Sequence, residues 1–189
     1  MSIDRRRARG LTLIELIVFI MIVSTALAGV LTVLNVAAKG SADPLIRKQA
    51  LAIAEAVLEE VLLQPFTWCD PDDPQAATAT SNAVGAGGCT AAGAVEAVGA
   101  ETFGGGTDAR GSATFPFDNA SDYHGQAIAT TLTGVALPVG YNAAVTVAEA
   151  ALNGIAATES LLVTVTVTSP GETVQLQSYR TRHSPNLLP

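Results

Sequence analysis

Gly10 and Glu15 stand where residue type and spacing could do chemistry. Four arginines (Arg5, Arg6, Arg7, Arg9) crowd a polar leader that ends at Gly10. From Leu11 to Ala38 the chain is almost wholly apolar, and Glu15 is its only charge. A lone carboxylate in a membrane-length helix costs roughly 2.5–3.5 kcal/mol even on a lenient insertion scale, so it calls for a cationic partner. The nearest one is the α-amine that cleavage after Gly10 would create on Leu11.

Other reactive groups are sparse. Cys69 and Cys89 are the only cysteines, and in an oxidising compartment they are expected to pair. Closing a loop of about 20 residues would stabilise the fold by ~3 kcal/mol on the chain-entropy model. Two cysteines with two distant histidines, His124 and His183, lack zinc-ligand spacing. The densest polar cluster runs from Phe117 to Gly125 and holds Asp118, Asp122 and His124. It could be a metal or acid–base site, although Asx-rich turns use the same residues to bond their own backbone, which is the commoner outcome. No nucleophile elbow, phosphate loop or metalloprotease motif occurs, so no enzymatic activity is expected.

Arg9-Gly10-Leu11-Thr12-Leu13-Ile14-Glu15-Leu16 resembles the class III signal of type IV prepilins and pseudopilins. The resemblance implies that a prepilin peptidase cuts between Gly10 and Leu11 on the cytoplasmic side and methylates the new Leu11 amine. Glu15 then matches the family's fifth mature residue, while Leu11 replaces the usual phenylalanine. A secretory signal peptide would instead be cut after the apolar stretch, near Ala26-Leu27-Ala28, leaving Glu15 unexplained. A plain signal anchor explains the span, since Leu16 to Asn35 is ~30 Å of helix, but not the glycine-to-glutamate spacing. Some pseudopilins bind calcium through oxygen ligands, which makes Asp70, Asp72 and Asp73 in Asp70-Pro71-Asp72-Asp73-Pro74 weak metal candidates. Their spacing matches no calcium-loop motif, a solvated turn is the commoner reading, and no cofactor is expected.

The elements that must position these groups divide the chain into a leader (1–10), a membrane and assembly helix (11–38), an amphipathic half-helix (39–64), a Gly/Ala-rich loop region with the expected disulfide (65–126), and an antiparallel sheet with its tail (127–189). Lys39-Gly40-Ser41-Ala42-Asp43-Pro44 predicts a break and restart, with Asp43 as N-cap and Pro44 at the first helical position. Ile46, Ala50, Ile53, Val57 and Val61 then form an apolar stripe, flanked by Leu51, Ala54, Leu58 and Leu62, with Arg47, Lys48, Glu55, Glu59 and Glu60 away from its centre. Gln64-Pro65 ends the helix. Residues 68–112 lack periodicity and predict a long surface excursion stapled near its base. Ser160 to Thr168 alternates valine with threonine, Ser169-Pro170-Gly171-Glu172 suits a type II turn, and Thr173 to Arg182 returns. Tyr141 to Ala148 supplies a third strand, joined by a loop around Asn153-Gly154, and Ala127 to Leu137 a less regular fourth. The expected fold is α+β and pilin-like, a long helix packed on an antiparallel sheet of three or four strands.

The 189 residues carry a formal net charge of −7. Loss of the leader removes four arginines and Asp4 and takes the balance to about −10, which argues against general nucleic-acid binding through phosphates. The leader arginines place the N-terminus in the cytoplasm by the positive-inside rule. The Phe117–Gly125 cluster, Pro65-Phe66, the Thr-Val strand and Tyr179-Arg180 resemble the MshD-type minor pilins of mannose-sensitive haemagglutinin (MSHA) systems. Together these features imply a minor pilin in the bacterial inner membrane and then at the cell surface. Its soluble domain would be periplasmic, and its partners would be prepilin peptidase, other pilin subunits and the inner-membrane assembly platform. A type II secretion pseudopilin and a membrane-tethered adhesin are the alternatives.

Overall fold

The structure is a computed structural model that describes residues 12–186, without the side chains of residues 38–43. Contacts divide the chain into two units, Met1–Leu45 and Ile46–Pro189, joined by one helix, α1 (Leu13–Leu63). In the first unit Leu13–Ala37 has a mean hydropathy of 2.6, and none of it is buried. Its hydroxyl and amide side chains bond the helix's own carbonyls. Ser24 and Thr32 donate to the carbonyls of Ile20 (2.6 Å) and Ala28 (2.8 Å). Thr25 donates to the Met21 or Ile22 carbonyl, and Asn35 to Leu31. Such back-bonding leaves no hydroxyl donor of these residues needing water.

The predicted break at 39–44 does not occur: α1 runs through, with Pro44 inside it. A proline deletes one intrahelical hydrogen bond and crowds one carbonyl, here that of Gly40, and a long helix can absorb that loss without ending there. The Asp43 cap lies among the side chains outside the description. At the other end the helix stops as expected. Gln64 precedes Pro65, which disfavours helical geometry at Gln64, and the Gln64 amide closes a tight turn onto the Val61 carbonyl at 3.2 Å.

The second unit is built on a four-stranded antiparallel sheet of β3 (Ala127–Ile128), β4 (Asn142–Glu149), β5 (Ser160–Ser169) and β6 (Glu172–Thr181), in that order. Period-two patterning sets the register: Val145 faces Val165, Val147 faces Val163, and Val167 faces Val174. The valines of β4 and β5 form the dry face, on which Ala50, Ala54, Val57 and Val61 of α1 pack with Phe66, Phe117 and Tyr123. Alanines on the helix let its backbone approach a sheet whose own bulk is β-branched. On the wet face Gln177 and Gln175 donate to Thr164 and Thr166 of β5. The β5–β6 turn places Pro170 and Gly171 at its corner, and Gly171 has φ +94°, as a type II turn requires. The fourth strand is shorter than expected, with two residues in β3 and an isolated bridge between Thr130 and Ala136. The architecture is α+β and pilin-like.

Residues 68–112 correct the sequence expectation. Instead of a loose excursion they form a second small core of Cys69, Ala76, Ala79, Cys89 and Ala94 under Trp68, Val95 and Phe103. Cys69 and Cys89 are disulfide-bonded. A two-residue hairpin, β1 (Thr102–Phe103) with β2 (Gly106–Thr107), lies beyond them. Arg182, just after β6, clamps the C-terminal end down. Its guanidinium sits 3.8 Å from the Phe66 ring centre and 4.0 Å from that of Trp68, and it donates to the Thr158 carbonyl.

Candidate functional site

Two places in the molecule concentrate functional chemistry, the start of α1 and a buried acidic hub in the second unit. Thr12 caps α1: its Oγ1 accepts the Glu15 amide at 3.4 Å, while its carbonyl accepts the Leu16 amide at 3.2 Å. Thr12-Leu13-Ile14-Glu15 therefore has the spacing of a capping box, in which a third-position glutamate reaches back toward the helix start. Here the Glu15 amide is held by Thr12, and Glu15 lies in the first turn of α1. Among the described residues no cation pairs with Glu15. Gly10 and Leu11 themselves lie outside the described residues.

Residues 5–31 match the family model of the prokaryotic N-terminal methylation motif. The match supports a type IV pilin-like or pseudopilin-like subunit, processed by a prepilin peptidase and anchored by its apolar helix. Nothing among curated proteins or solved structures matches the chain.

The acidic hub is assembled by the turn 117–125. Asp122 is fully buried, and its Oδ2 accepts the amides of Asp118 (3.0 Å) and Asn119 (2.9 Å). Asn119 donates to Thr67 Oγ1, and Ser121 Oγ lies 2.6 Å from Glu96 Oε1. His124 is spent on the sheet, with Nδ1 2.6 Å from the Val147 carbonyl, so it takes no part in the acidic hub. The segment does bond its own backbone as expected, but Asp122 accepts amides three and four residues before it, in a buried hub that carries further carboxylates beside it.

Glu96, Glu101 and Asp122 bring one oxygen each to within 4.8 Å of one another, as do Asp70, Asp72 and Asp118. Burial, then the charge of neighbouring acids, raises several of them. Asp118 is pushed up to about 8 and Asp108 to about 6 in this way, while burial and then a side-chain hydrogen bond with Glu101 push Asp122 up to about 8. Burial also lifts Glu96 well above the carboxylate range and raises Glu101 and Asp70. Of the three aspartates singled out in the sequence, Asp70 and Asp72 come together. Asp73 does not join them, because its Oδ2 accepts the Thr90 amide and hydroxyl and its Oδ1 the Gln75 amide.

A third feature was not legible in the sequence. Glu60 is buried on the core side of α1, where Arg110 grips it with two hydrogen bonds of 2.6 and 2.7 Å and Tyr123 donates a third at 3.0 Å. That contact raises the Arg110 pKa, while burial, then the Glu60 charge, raises that of Tyr123. The stripe centre accordingly falls on Ala54 and Val61, with Ile53 only half-buried.

Proposed function

We propose that this chain is a minor pilin of an MSHA-like type IV pilus, a structural subunit and not an enzyme. The observation that carries the reading is the methylation motif over residues 5–31, with Gly10 and Glu15 at the prepilin spacing. The α+β second unit, with a helix laid on an antiparallel sheet, supports it. The MSHA assignment leans on the Phe117–Gly125 segment, whose Asn119, Ser121, Asp122 and Tyr123 are all buried and so act as a scaffold of the domain.

In this reading the leader arginines hold the N-terminus in the cytoplasm and the domain faces the periplasm. Prepilin peptidase removes residues 1–10 and methylates Leu11. Glu15 pairs with a Leu11 amine, its own or a neighbour's, which neutralises the carboxylate in lipid and sets axial register as helices stack. The exposed span Leu13–Ala37 exchanges lipid contact for contact with other pilin helices on the assembly platform.

The test is the mature N-terminus, determined by mass spectrometry in cells with and without prepilin peptidase. A chain beginning at N-methylated Leu11, found only with the peptidase, is the expected result. An intact Met1 in both strains would overturn the reading.

A further inference from the structure

We propose that the outer edge of β6 is a docking site for an extended, acidic strand of another protein, added to the sheet by main-chain hydrogen bonds. β6 closes one side of the four-stranded sheet over the whole of Glu172–Thr181, whereas the opposite edge, β3, has two residues. Its pairing with β5 runs unbroken from Ser169 opposite Glu172 to Ser160 opposite Thr181. The Arg182 amide continues the ladder onto the Glu159 carbonyl at 2.9 Å. In an antiparallel pair every second residue exchanges its hydrogen bonds with the partner strand. The even-numbered residues of β6 are therefore spent on β5, and Thr173, Gln175, Gln177, Tyr179 and Thr181 turn their N–H and C=O groups outward. Among the described residues no backbone group bonds that row, and its one side-chain contact is His183 Nδ1, 3.2 Å from the Thr181 carbonyl. Beyond β6 the tail is tied to the disulfide core, where Asn186 donates to the Ala76 and Ala79 carbonyls. In the isolated chain water satisfies the open row.

Edges of this kind are ordinarily guarded by brevity, by proline or lysine, by a bulge, or by a charge that points inward. Thr173-Val174-Gln175-Leu176-Gln177-Ser178-Tyr179 has none of these, and its residue types favour a strand. Arg180 is the one guard, and it decides what the edge admits. It pairs with Leu161 on the dry side, and its Nε is buried without a partner. Among the described residues its guanidinium forms no ion pair, while Glu172 at the other end of the strand is taken by Arg47. β6 thus carries one unmatched charge, and it is positive. A strand laid beside it sets a side chain opposite Arg180 on the same face. A carboxylate there pairs with the guanidinium, whereas a neutral or basic residue leaves it desolvated and unpaired. Main-chain bonding supplies the affinity and the charge supplies the selection.

A second copy of this chain does not fit the edge. Antiparallel pairing of β6 with itself needs a two-fold axis normal to the sheet. Ala50, Ala54, Val57 and Val61 lie along the dry face, so α1 runs parallel to the sheet there. The axis would point the two helices in opposite directions, and two chains anchored by those helices in one membrane run the same way.

The test uses the full-length chain in detergent micelles, with amide exchange followed residue by residue. The probe is a synthetic peptide of β6's length that alternates threonine and valine and carries one glutamate near its N-terminus, to fall opposite Arg180. A twin peptide has lysine in place of the glutamate. Saturating peptide should slow exchange at least tenfold at Thr173, Gln175, Gln177, Tyr179 and Thr181, and leave the even-numbered amides unchanged. The lysine twin should bind at least tenfold more weakly, and Arg180→Glu should reverse the preference. Gln177→Pro removes an outward N–H that β5 does not use, so it should keep the unfolding midpoint and lose the peptide. If either variant fails to fold, the two peptides against the wild-type chain still decide. No saturable slowing at millimolar peptide, equal binding of the two peptides, or retained binding by folded Gln177→Pro would overturn the proposal. Self-association of the wild-type chain that Gln177→Pro abolishes would also overturn it, giving the edge to a second copy.

Discussion

The helix Leu13–Leu63 carries two acidic residues in apolar settings, Glu15 and Glu60, and they are treated in opposite ways. Glu60 finds its cation inside the fold: Arg110 reaches it from 50 residues away in sequence, and Tyr123 completes the shell. Glu15 has no internal cation among the described residues and stands in a span of which nothing is buried. The same contrast holds for apolar groups. Val57 and Val61 close against a sheet, whereas Phe19, Met21 and Leu31 are exposed. The second unit solves its physics internally, while the first presents surfaces and a charge that other molecules must satisfy. That division suits the proposed role, a subunit assembled through its N-terminal helix.

The largest effect should come from Glu15→Ala. Leader cleavage is expected to continue, since the scissile bond is untouched, but recovery of the protein in sheared fibres should fall tenfold or more relative to the membrane pool. Normal incorporation would show that the exposed carboxylate needs no outside partner and would break the comparison. Next in size is Arg110→Ala. Stripping the partner from a buried ion pair costs roughly 3–5 kcal/mol, because the remaining charge stays desolvated. Chemical denaturation of the micelle-bound protein should register that loss, and Glu60→Leu added to Arg110→Ala should recover part of it. A loss below about 1 kcal/mol, the range of exposed pairs, would mean that Glu60 is not held as argued.

The same contrast explains what could be read in advance. The helix, β4, β5, β6 and their turns follow from periodicity and from Pro170-Gly171, because each pattern is local. The apolar stripe leaves Glu60 off its centre, because a charged residue ordinarily faces solvent. Its partner Arg110 lies in a stretch with no period to flag it. Residues 68–112 looked loose for a related reason: Ala76, Ala79 and Ala94 bury little area each, and the disulfide with turn hydrogen bonds does the rest. The polar cluster at Phe117–Gly125 did stand out, but Glu96 and Glu101 sit too far along the chain for spacing to join them to Asp122. Asp70 and Asp72 were visible as neighbours, whereas the turn that rotates Asp73 toward Thr90 was not.

A more gradual effect should appear as a function of pH, and it comes from carboxyls that the second unit holds protonated inside itself. In the folded chain Asp118 and Asp122 are raised to about 8 and Asp108 to about 6, from an ordinary value of 3.8. Unfolded, these groups lose their protons as pH passes through about 4. Folded, they keep them, so the native state binds more protons between about pH 4 and 8. Stability then falls as pH rises through that window, with the contribution fully present at its acid end. The thermal midpoint should decline from pH 5 to pH 8. A midpoint that rises over that range would refute the electrostatic account of the hub.

The smallest effect separates the two units most directly. Thr12 Oγ1 accepts the Glu15 amide and so satisfies one of the orphan donors at the start of α1. Thr12→Ala removes that acceptor, and loss of such a cap costs about 1 kcal/mol. The loss should be confined to the first turn, because nothing in the span Leu13–Ala37 is packed into a core that would spread it. Hydrogen exchange in micelles should show faster exchange at Leu13, Ile14 and Glu15, with the unfolding midpoint of the second unit unchanged. If that midpoint falls with Thr12→Ala, the two units share stability through the helix. Glu15 and Glu60 would then belong to one cooperative structure, with no division between an outward-facing helix and a self-contained domain.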